Sequence, residues 1–213
     1  MPIKIMVASS VFGFEDTLTQ LCAVLESYGY EVLNSHYGTV RVGVNQDNTQ
    51  ACLAAVEECD YFLGIIRGRY GSGITHQELS HAVSLDKPRL FLVEQKVNHA
   101  RQLLKPFAPV LPDQVYKSDG TRLFPLPIPP ASNPTPPAPV NPFRGNSVLD
   151  DYRVIAMLNE AQAGTPGSPL MARPNRWSQE FATTEALLRT IQAQFSNHTV
   201  LAAELAALAG GTP

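Results

Sequence analysis

A glycine-rich loop between two short apolar runs is the feature that most constrains how this chain can fold. Tyr61 to Ile66 is continuously apolar, and Leu90 to Val93 is a second run of the same kind. Such runs are typical of strands buried on both faces of a parallel sheet. Between them, Arg67 to Gly73 carries three glycines and precedes a segment with apolar residues at helical spacing. The stretch predicts strand, loop, helix and strand, with a ligand site at the carboxyl edge of the sheet.

The same alternation of strands and helices runs through the chain before this loop. We expect strands at Ile3 to Ala8 and at Tyr30 to Asn34, and helices at Phe14 to Tyr28 and at Asn48 to Glu58. Strands that alternate with helices over short connections indicate an α/β fold. The order predicts a flavodoxin-like parallel sheet of about four or five strands, flanked by helices.

A change of composition divides the chain into three predicted parts. Pro106 to Pro142 holds twelve of the 18 prolines, and proline is incompatible with helix interiors and central strands. We therefore expect an α/β domain at residues 1–104, a proline-rich insert or linker at 105–146 and a helical C-terminal part at 147–213 that packs at least partly on the first domain. The insert reads as an extended spacer or as a ligand for a proline-binding protein partner.

Helical and strand patterns return after the proline-rich segment. Ser147 to Ala161 and Thr183 to Phe195 have helical periodicity, and Trp177 to Phe181 suits a short edge strand. The tail from Thr199 to Ala209 is rich in alanine and leucine, with Leu201, Leu205 and Leu208 on one face. We expect this tail to be a docking or self-association helix, and the protein to form a homo-oligomer.

Composition excludes several classes of partner and site. The formal net charge of −3 favours neither nucleic acid nor an anionic membrane as a partner. No apolar run approaches the roughly 20 residues of a membrane span, and no signal peptide is recognisable, so we expect a cytoplasmic protein. Cys22, Cys52 and Cys59 have no CxxC spacing, which predicts small buried side chains and no metal site.

Three local strings carry a resemblance to a known family. They are VASSVFG from Val7, CLAAVEECD from Cys52 and RYGSGITHQE from Arg69. Together they resemble a family of bacterial TIR-like domains, domain of unknown function 4062, related to Toll/interleukin-receptor domains and to nucleoside 2-deoxyribosyltransferases. The resemblance is close over residues 3–104 and looser over the later helices. It implies a TIR-like form of the flavodoxin-like fold, and active relatives cleave or exchange an N-glycosidic bond.

The resemblance also implies a role for one acidic residue. In the relatives a glutamate on the helix after this loop carries the chemistry, and Glu78 occupies the matching place. A carboxylate there stabilises or attacks the positive charge that develops on a ribose when its bond to nitrogen breaks. We expect hydroxyl, aromatic and basic side chains nearby to bind the substrate. The expected substrate-binding residues are Ser9, Ser10, Phe12, Arg67, Tyr70, Gly71, Ser72 and Gly73.

Glu78 also has a purely structural interpretation. The sequence from Thr75 to Glu78 has the S/T-x-x-E form of a capping box, in which Thr75 begins the helix and Glu78 bonds the Thr75 amide. His76 lies close enough to tune Glu78, but an exposed histidine in the first helical turn is the simpler expectation. Asp60 begins a strand at the end opposite the site, so we expect it to be structural.

The expected binding residues have structural alternatives as well. Ser9 and Ser10 are suited to capping the following turn, and Arg67 is suited to being a solvated loop charge. Tyr70 either stacks on a base or packs over the loop. The loop lacks the aspartate that many deoxyribosyltransferases carry before the glutamate helix, and the Trp-Cys pair of Toll/interleukin-receptor domains is absent. Membership of the fold therefore does not guarantee activity.

Two functions from different classes fit these observations. The first is a nucleotide N-glycosidase, an NAD glycohydrolase or a relative of the deoxyribosyltransferases, with a nucleotide as its small-molecule partner. NAD is then the leading candidate substrate, and no cofactor is expected. The second is a non-catalytic nucleotide-sensing or oligomerisation module in signalling or defence.

Overall fold

The computed structural model describes residues 2–104, 148–151, 153–163 and 178–210 of the 213-residue chain. The strands are β1 Lys4–Ser9, β2 Glu31–Leu33, β3 Tyr61–Ile66, β4 Arg89–Glu94 and β5 Ser178–Phe181. The helices are α1 Glu15–Ser27, α2 Asn48–Glu58, α3 Ile74–Ser84, α4 Gln95–Leu104, α5 Arg153–Ala163, α6 Thr184–Phe195 and α7 His198–Gly210.

The five strands form one parallel sheet in the order β2-β1-β3-β4-β5. This is a flavodoxin-like α/β arrangement, which confirms the predicted fold class. The chain leaves β1 toward β2 on one side and then returns to β3 on the other side. The strand order therefore reverses between β1 and β3, and open α/β sheets bind ligands at the carboxyl end of such a reversal.

Successive strand residues point to opposite faces of the sheet, and each face is covered by its own helices. Met6, Phe62 and Phe91 belong to the core that α2, α3, α4 and α5 cover. Ile5 and Leu63 belong to the opposite core, which α1 and α6 complete. Because both faces are covered, the residues of β1, β3 and β4 are nearly all apolar. This is why the sequence predicted these three strands.

The elements after the proline-rich segment contribute to the same sheet and core. β5 pairs with β4 in register, with Phe91 opposite Ser178, and it forms the edge strand predicted for this region. Val154 and Leu158 of α5 are buried against β3 and β4. The proline-rich segment lies outside the described residues, so the three-part division of the chain remains a prediction.

One helix begins later than the sequence predicted. The pattern over Ser147 to Ala161 predicted a helix from the start of that stretch, but α5 begins at Arg153. Two aspartates account for the difference, because their side chains bond backbone amides in loop geometry. Asp150 accepts from the Tyr70 amide at 2.7 Å, and Asp151 accepts from the Arg153 amide at 2.8 Å.

Several smaller expectations concern the rest of the fold. Cys22, Cys52 and Cys59 are all buried with free thiols, as predicted. Asp60 accepts a hydrogen bond from the Lys4 amide at 2.8 Å at the amino end of the sheet, which confirms its structural role. Within the described ranges, every helix falls short of the length and apolarity needed to cross a membrane.

Candidate functional site

A pocket of about 270 Å³ lies where the carboxyl end of β1 meets the glycine-rich loop and the start of α3. Its position is the edge of the sheet at which the sequence predicted a site. Seven of the nine expected site residues line it: Ser9, Ser10, Phe12, Tyr70, Gly71, Ser72 and Glu78. Arg67 and Gly73 are not among the lining residues. Asn34, Ser35, Arg69 and Thr75 line the pocket as well.

The glycine-rich loop turns into α3 through two left-handed residues. Gly71 has φ of +65° and Gly73 has φ of +84°, conformations that favour glycine. Gly73 is the N-cap residue of α3 and provides no side-chain cap. The predicted capping box is therefore wrong, because the left-handed turn starts the helix at Ile74 and places Thr75 inside its first turn. Glu78 consequently lies two positions further into the helix than the capping box requires, on the buried face of α3.

The third glycine of the loop has a different function. A Cβ at Gly68 would lie 2.2 Å from the carbonyl oxygen of Val148, so only glycine permits this approach of the two backbones. The Gly68 amide donates to Glu94 at the end of β4 at 2.9 Å, and the Gly68 carbonyl accepts from the Asp150 amide at 2.9 Å. The loop is thus held from two sides, by β4 and by the segment that leads into α5.

Glu78 is the buried acid of the pocket. Only 3 % of this residue is exposed, although its side chain lines the cavity. Burial raises the pKa of its carboxyl from 4.5 to about 7, while a hydrogen bond from the thiol of Cys52 acts in the opposite direction. Burial, together with the Glu78 carboxylate, raises the pKa of Cys52 to about 12, so the thiol remains the donor. A glutamate with these surroundings can exchange a proton near neutral pH.

Ser10 supplies a hydroxyl that is available to a ligand. Its Oγ atom is buried and has no hydrogen-bond partner among the described residues. Ser9 differs, since its hydroxyl donates to the Ser10 carbonyl at 3.1 Å. Asn34 also lines the pocket, but its amide donates to the Val7 carbonyl at 2.7 Å. A buried polar group without a partner is costly, so the Ser10 hydroxyl indicates a place where a polar ligand atom would be stabilised.

Arg67 does not line the pocket but stabilises the turn that forms part of its wall. Its guanidinium donates to the carbonyl oxygens of Ser10, Phe12 and Gly13 at 3.0, 3.2 and 3.3 Å. It also lies 4.3 Å over the ring centroid of Phe14. These contacts hold the turn between β1 and α1 in the geometry that directs Ser10 into the pocket, and burial lowers the pKa of Arg67.

Phe12 and Arg69 form the outer rim. The guanidinium of Arg69 lies 3.8 Å over the Phe12 ring, and 66 % of Phe12 is exposed. A cation stacked on an exposed aromatic ring provides a flat surface that a planar ligand group can contact. Arg69 therefore lines the pocket, whereas Arg67 does not. The sequence did not indicate this difference between the two arginines of the loop.

A chain of polar side chains lies on the other side of α3. The Tyr70 hydroxyl is 2.9 Å from Nδ1 of His76, and Nε2 of His76 is 3.0 Å from Oε2 of Glu160. The Ser80 hydroxyl donates to the same Glu160 oxygen at 3.0 Å. His76 lies in the first turn of α3, as expected, but the expectation that it is exposed is wrong, because only 20 % of its side chain is exposed and both ring nitrogens have partners.

Comparison with known proteins places the chain in a family. A family model described as Domain of unknown function (DUF4062) matches residues 4–110, half of the chain. The chain belongs to this family. The match spans β1 to α4 and therefore includes the glycine-rich loop and Glu78. Searches of curated proteins and of solved structures gave no match.

Besides Asn34, Ser35 and Arg69 on the pocket wall, reasoning from the sequence missed the site roles of Cys52, Glu160 and Thr75. The sequence indicates only a core position for Cys52, but its thiol lies close enough to Glu78 to lower the pKa of that carboxyl. Glu160 lies 84 positions from His76, and no local pattern connects the two. Thr75 was assigned to a cap but lines the pocket instead. For Thr75 a local signal exists, since a left-handed glycine two residues before it moves the start of the helix to Ile74.

Proposed function

We propose that this DUF4062 domain is a TIR-like nucleotide N-glycosidase in which Glu78 is the catalytic carboxylate. The observation that carries the proposal is the burial of Glu78 in the wall of a ligand-sized pocket at the carboxyl edge of a parallel sheet. A buried acid with a pKa near 7 in a cleft is a common property of catalytic residues. The resemblance of RYGSGITHQE to TIR-like sequences supports the same role.

The proposed reaction breaks the bond between ribose C1′ and the base nitrogen. The bonding electrons leave with the base, and positive charge develops over C1′ and the ring oxygen. The ionised Glu78 carboxylate stabilises this charge or bonds C1′ covalently before water or another acceptor attacks. Because only 3 % of Glu78 is exposed, its charge interacts with the developing cation more strongly than it would in solution.

The pocket has features suited to the rest of the substrate. Its volume of about 270 Å³ is close to the lower limit of ligand pockets, about 300 Å³, so it suits a ribosyl group with its substituents rather than a whole dinucleotide. The Ser10 hydroxyl is placed to bond a ribose or phosphate oxygen. The first amides of α3 point toward the N-terminal end of the helix, where anions bind favourably. NAD is the substrate we propose to test first.

A second function is favoured by two observations. The loop from Tyr70 to Gly73 contains no carboxylate that could assist Glu78, and the guanidinium of Arg67 bonds backbone carbonyls. These features favour a module that binds a nucleotide without cleaving it and acts through oligomerisation in signalling or defence. The two functions use the same pocket and differ in whether the bound nucleotide is cleaved.

Incubation with NAD, followed by detection of free nicotinamide, tests the first function. Glu78→Gln keeps the shape of the side chain and removes its negative charge, so turnover should fall by about 100-fold or more. Glu185→Gln is the matched control, since Glu185 lies on the exposed surface of α6 and pairs with Arg189. A fully active Glu78→Gln variant would refute the catalytic assignment. Binding of NAD without cleavage, under every assembly condition tried, would favour the sensing module.

A further inference from the structure

A second cavity adjoins the Glu78 pocket. It is a groove of about 560 Å³ along α3, between Leu53 of α2 and Arg153 of α5. Tyr70 and Ser72 line both cavities, so the two share one wall at the glycine-rich loop. A ligand whose sugar lies beside Glu78 can therefore extend past Tyr70 into the groove.

The shared wall carries an acid–base relay. Glu160 accepts hydrogen bonds from Ser80 and from Nε2 of His76, which leaves Nδ1 of His76 facing the Tyr70 hydroxyl at 2.9 Å. Carboxylate, imidazole and hydroxyl thus stand in the order in which proton-transfer chains are built in enzymes. Tyr70 packs against the core on one side and is the member of the relay that reaches the Glu78 pocket.

Tyr70 is held in position by contacts with α3 and with the segment that leads into α5. Its edge meets the His76 ring with centroids 5.6 Å apart, and the Arg153 guanidinium lies 4.2 Å from its centroid. The Tyr70 amide donates to Asp150 at 2.7 Å. Asp151, which pairs with Arg153 at 2.7 Å, is the carboxylate that balances the guanidinium charge. A phenol fixed in this way can present its hydroxyl to a ligand without first ordering the loop.

We propose that the groove along α3 is the subsite of the leaving base, and that Tyr70, backed by His76 and Glu160, donates a proton to that base. The proposal rests on the proposed N-glycosidase function and names its substrate class. Nicotinamide leaves a pyridinium nucleotide as a neutral molecule without a proton. Purine bases leave a neutral nucleotide as anions unless they are protonated. A proton relay at the leaving-group side therefore fits purine nucleosides or nucleotides as substrates.

The proton transfer balances within the relay. His76 starts with protons on both nitrogens, so that Nδ1–H donates to the Tyr70 oxygen and the Tyr70 O–H faces the base. As the C1′–N bond breaks, its electron pair goes to the base and the Tyr70 proton moves to a base nitrogen. The Nδ1 proton of His76 then moves to the Tyr70 oxygen. His76 ends as neutral imidazole, with its Nε2 proton still held by Glu160.

Tyr70→Phe tests the proposal because it removes the hydroxyl and retains the ring that contacts His76 and Arg153. We expect its release of adenine from a purine nucleotide to fall by about 100-fold or more, the usual contribution of a general acid. Release of nicotinamide from NAD should fall much less than release of adenine, because nicotinamide leaves without a proton and loses only the contact of the Tyr70 hydroxyl with the substrate. The matched control is Tyr37→Phe, which removes a phenol bonded to Glu26 outside the groove. Equal losses on the two substrates, or no loss on either, would overturn the proposal.

A binding measurement separates failure of this proposal from failure of the proposed function. Free adenine, added to protein with isotope-labelled histidine, should shift the His76 ring resonances in wild type and shift them much less in Tyr70→Phe. If adenine at millimolar concentration leaves these resonances unchanged, the groove is not a base subsite, whether or not NAD is cleaved. If adenine shifts them as expected in a protein that cleaves no nucleotide, the base subsite stands and the N-glycosidase function fails.

Discussion

Replacing Glu78 with glutamine should stabilise the protein at neutral and alkaline pH, whereas under the proposed function it should lower turnover by about 100-fold or more. Burial raises the pKa of the Glu78 carboxyl from 4.5 to about 7, so the folded state disfavours the charged form. Glutamine has nearly the shape of the protonated acid and can still accept the hydrogen bond from the Cys52 thiol. The variant therefore keeps the packing and removes the cost of ionising a buried carboxyl.

The magnitude follows from the two pKa values. Between pH 4.5 and about 7 the folded protein retains the Glu78 proton and the unfolded chain has released it. The free energy of unfolding must then decrease as pH rises through this window, because the folded state binds more protons. The separation of the pKa values corresponds to about 3 kcal/mol, reached in full above about pH 7. Glu78→Gln has no such titration at this position.

Urea denaturation of wild type and Glu78→Gln at a series of pH values measures the effect. The difference in unfolding free energy should be near zero at about pH 4 and grow to about 3 kcal/mol in favour of the variant at about pH 8. Subtracting one curve from the other removes the titration of every other group. Curves that stay parallel within about 0.5 kcal/mol, the usual range of surface substitutions, would refute the reasoning.

Three further predictions concern the loop, the tail and the proline-rich segment. Gly68→Ala should lower stability by about 1–3 kcal/mol, because its Cβ would meet the Val148 carbonyl at 2.2 Å; an unchanged thermal midpoint would contradict this. Leu208→Glu should shift the protein toward monomer in light scattering, because this α7 leucine is 66 % exposed; an unchanged mass would exclude this face from assembly. Deleting Leu111 to Pro139 should leave the cooperative melt nearly unchanged, since the segment lacks apolar periodicity; loss of soluble protein would indicate that it packs on the domain.

The fold was predictable from the sequence because its strongest signals are local. β1, β3 and β4 are buried on both faces, so their apolar runs stand out without any knowledge of their neighbours. The predicted helix from Asn48 to Glu58 has the bounds observed for α2, where Asp47 and Gln50 form a capping box. The parallel order then follows from short connections, and it brings the carboxyl ends of the strands to one edge.

The site was predictable as a location but not as a set of contacts. Ser10 and Glu78 line the same pocket because each comes after the carboxyl end of a parallel strand. Ser10 directly follows β1, and Glu78 lies on the helix that follows β3. The bonds that define their chemistry come from other elements, since Cys52 lies on α2 and Glu160 on α5. The error about the capping box had a local cause, because Gly73 in left-handed conformation started α3 earlier than the Thr75 pattern suggested.

Two buried charged residues in this protein show why burial alone does not identify a site. Arg89 is as buried as Glu78, and its Nε and Nη2 atoms have no partner among the described residues. It lies at the amino end of β4, however, and lines neither of the two pockets. Glu78 opens onto a cavity at the strand ends, beside the unpartnered Ser10 hydroxyl. Both residues depart from the rule that charges stay at the surface, but only Glu78 does so where a ligand can use the charge.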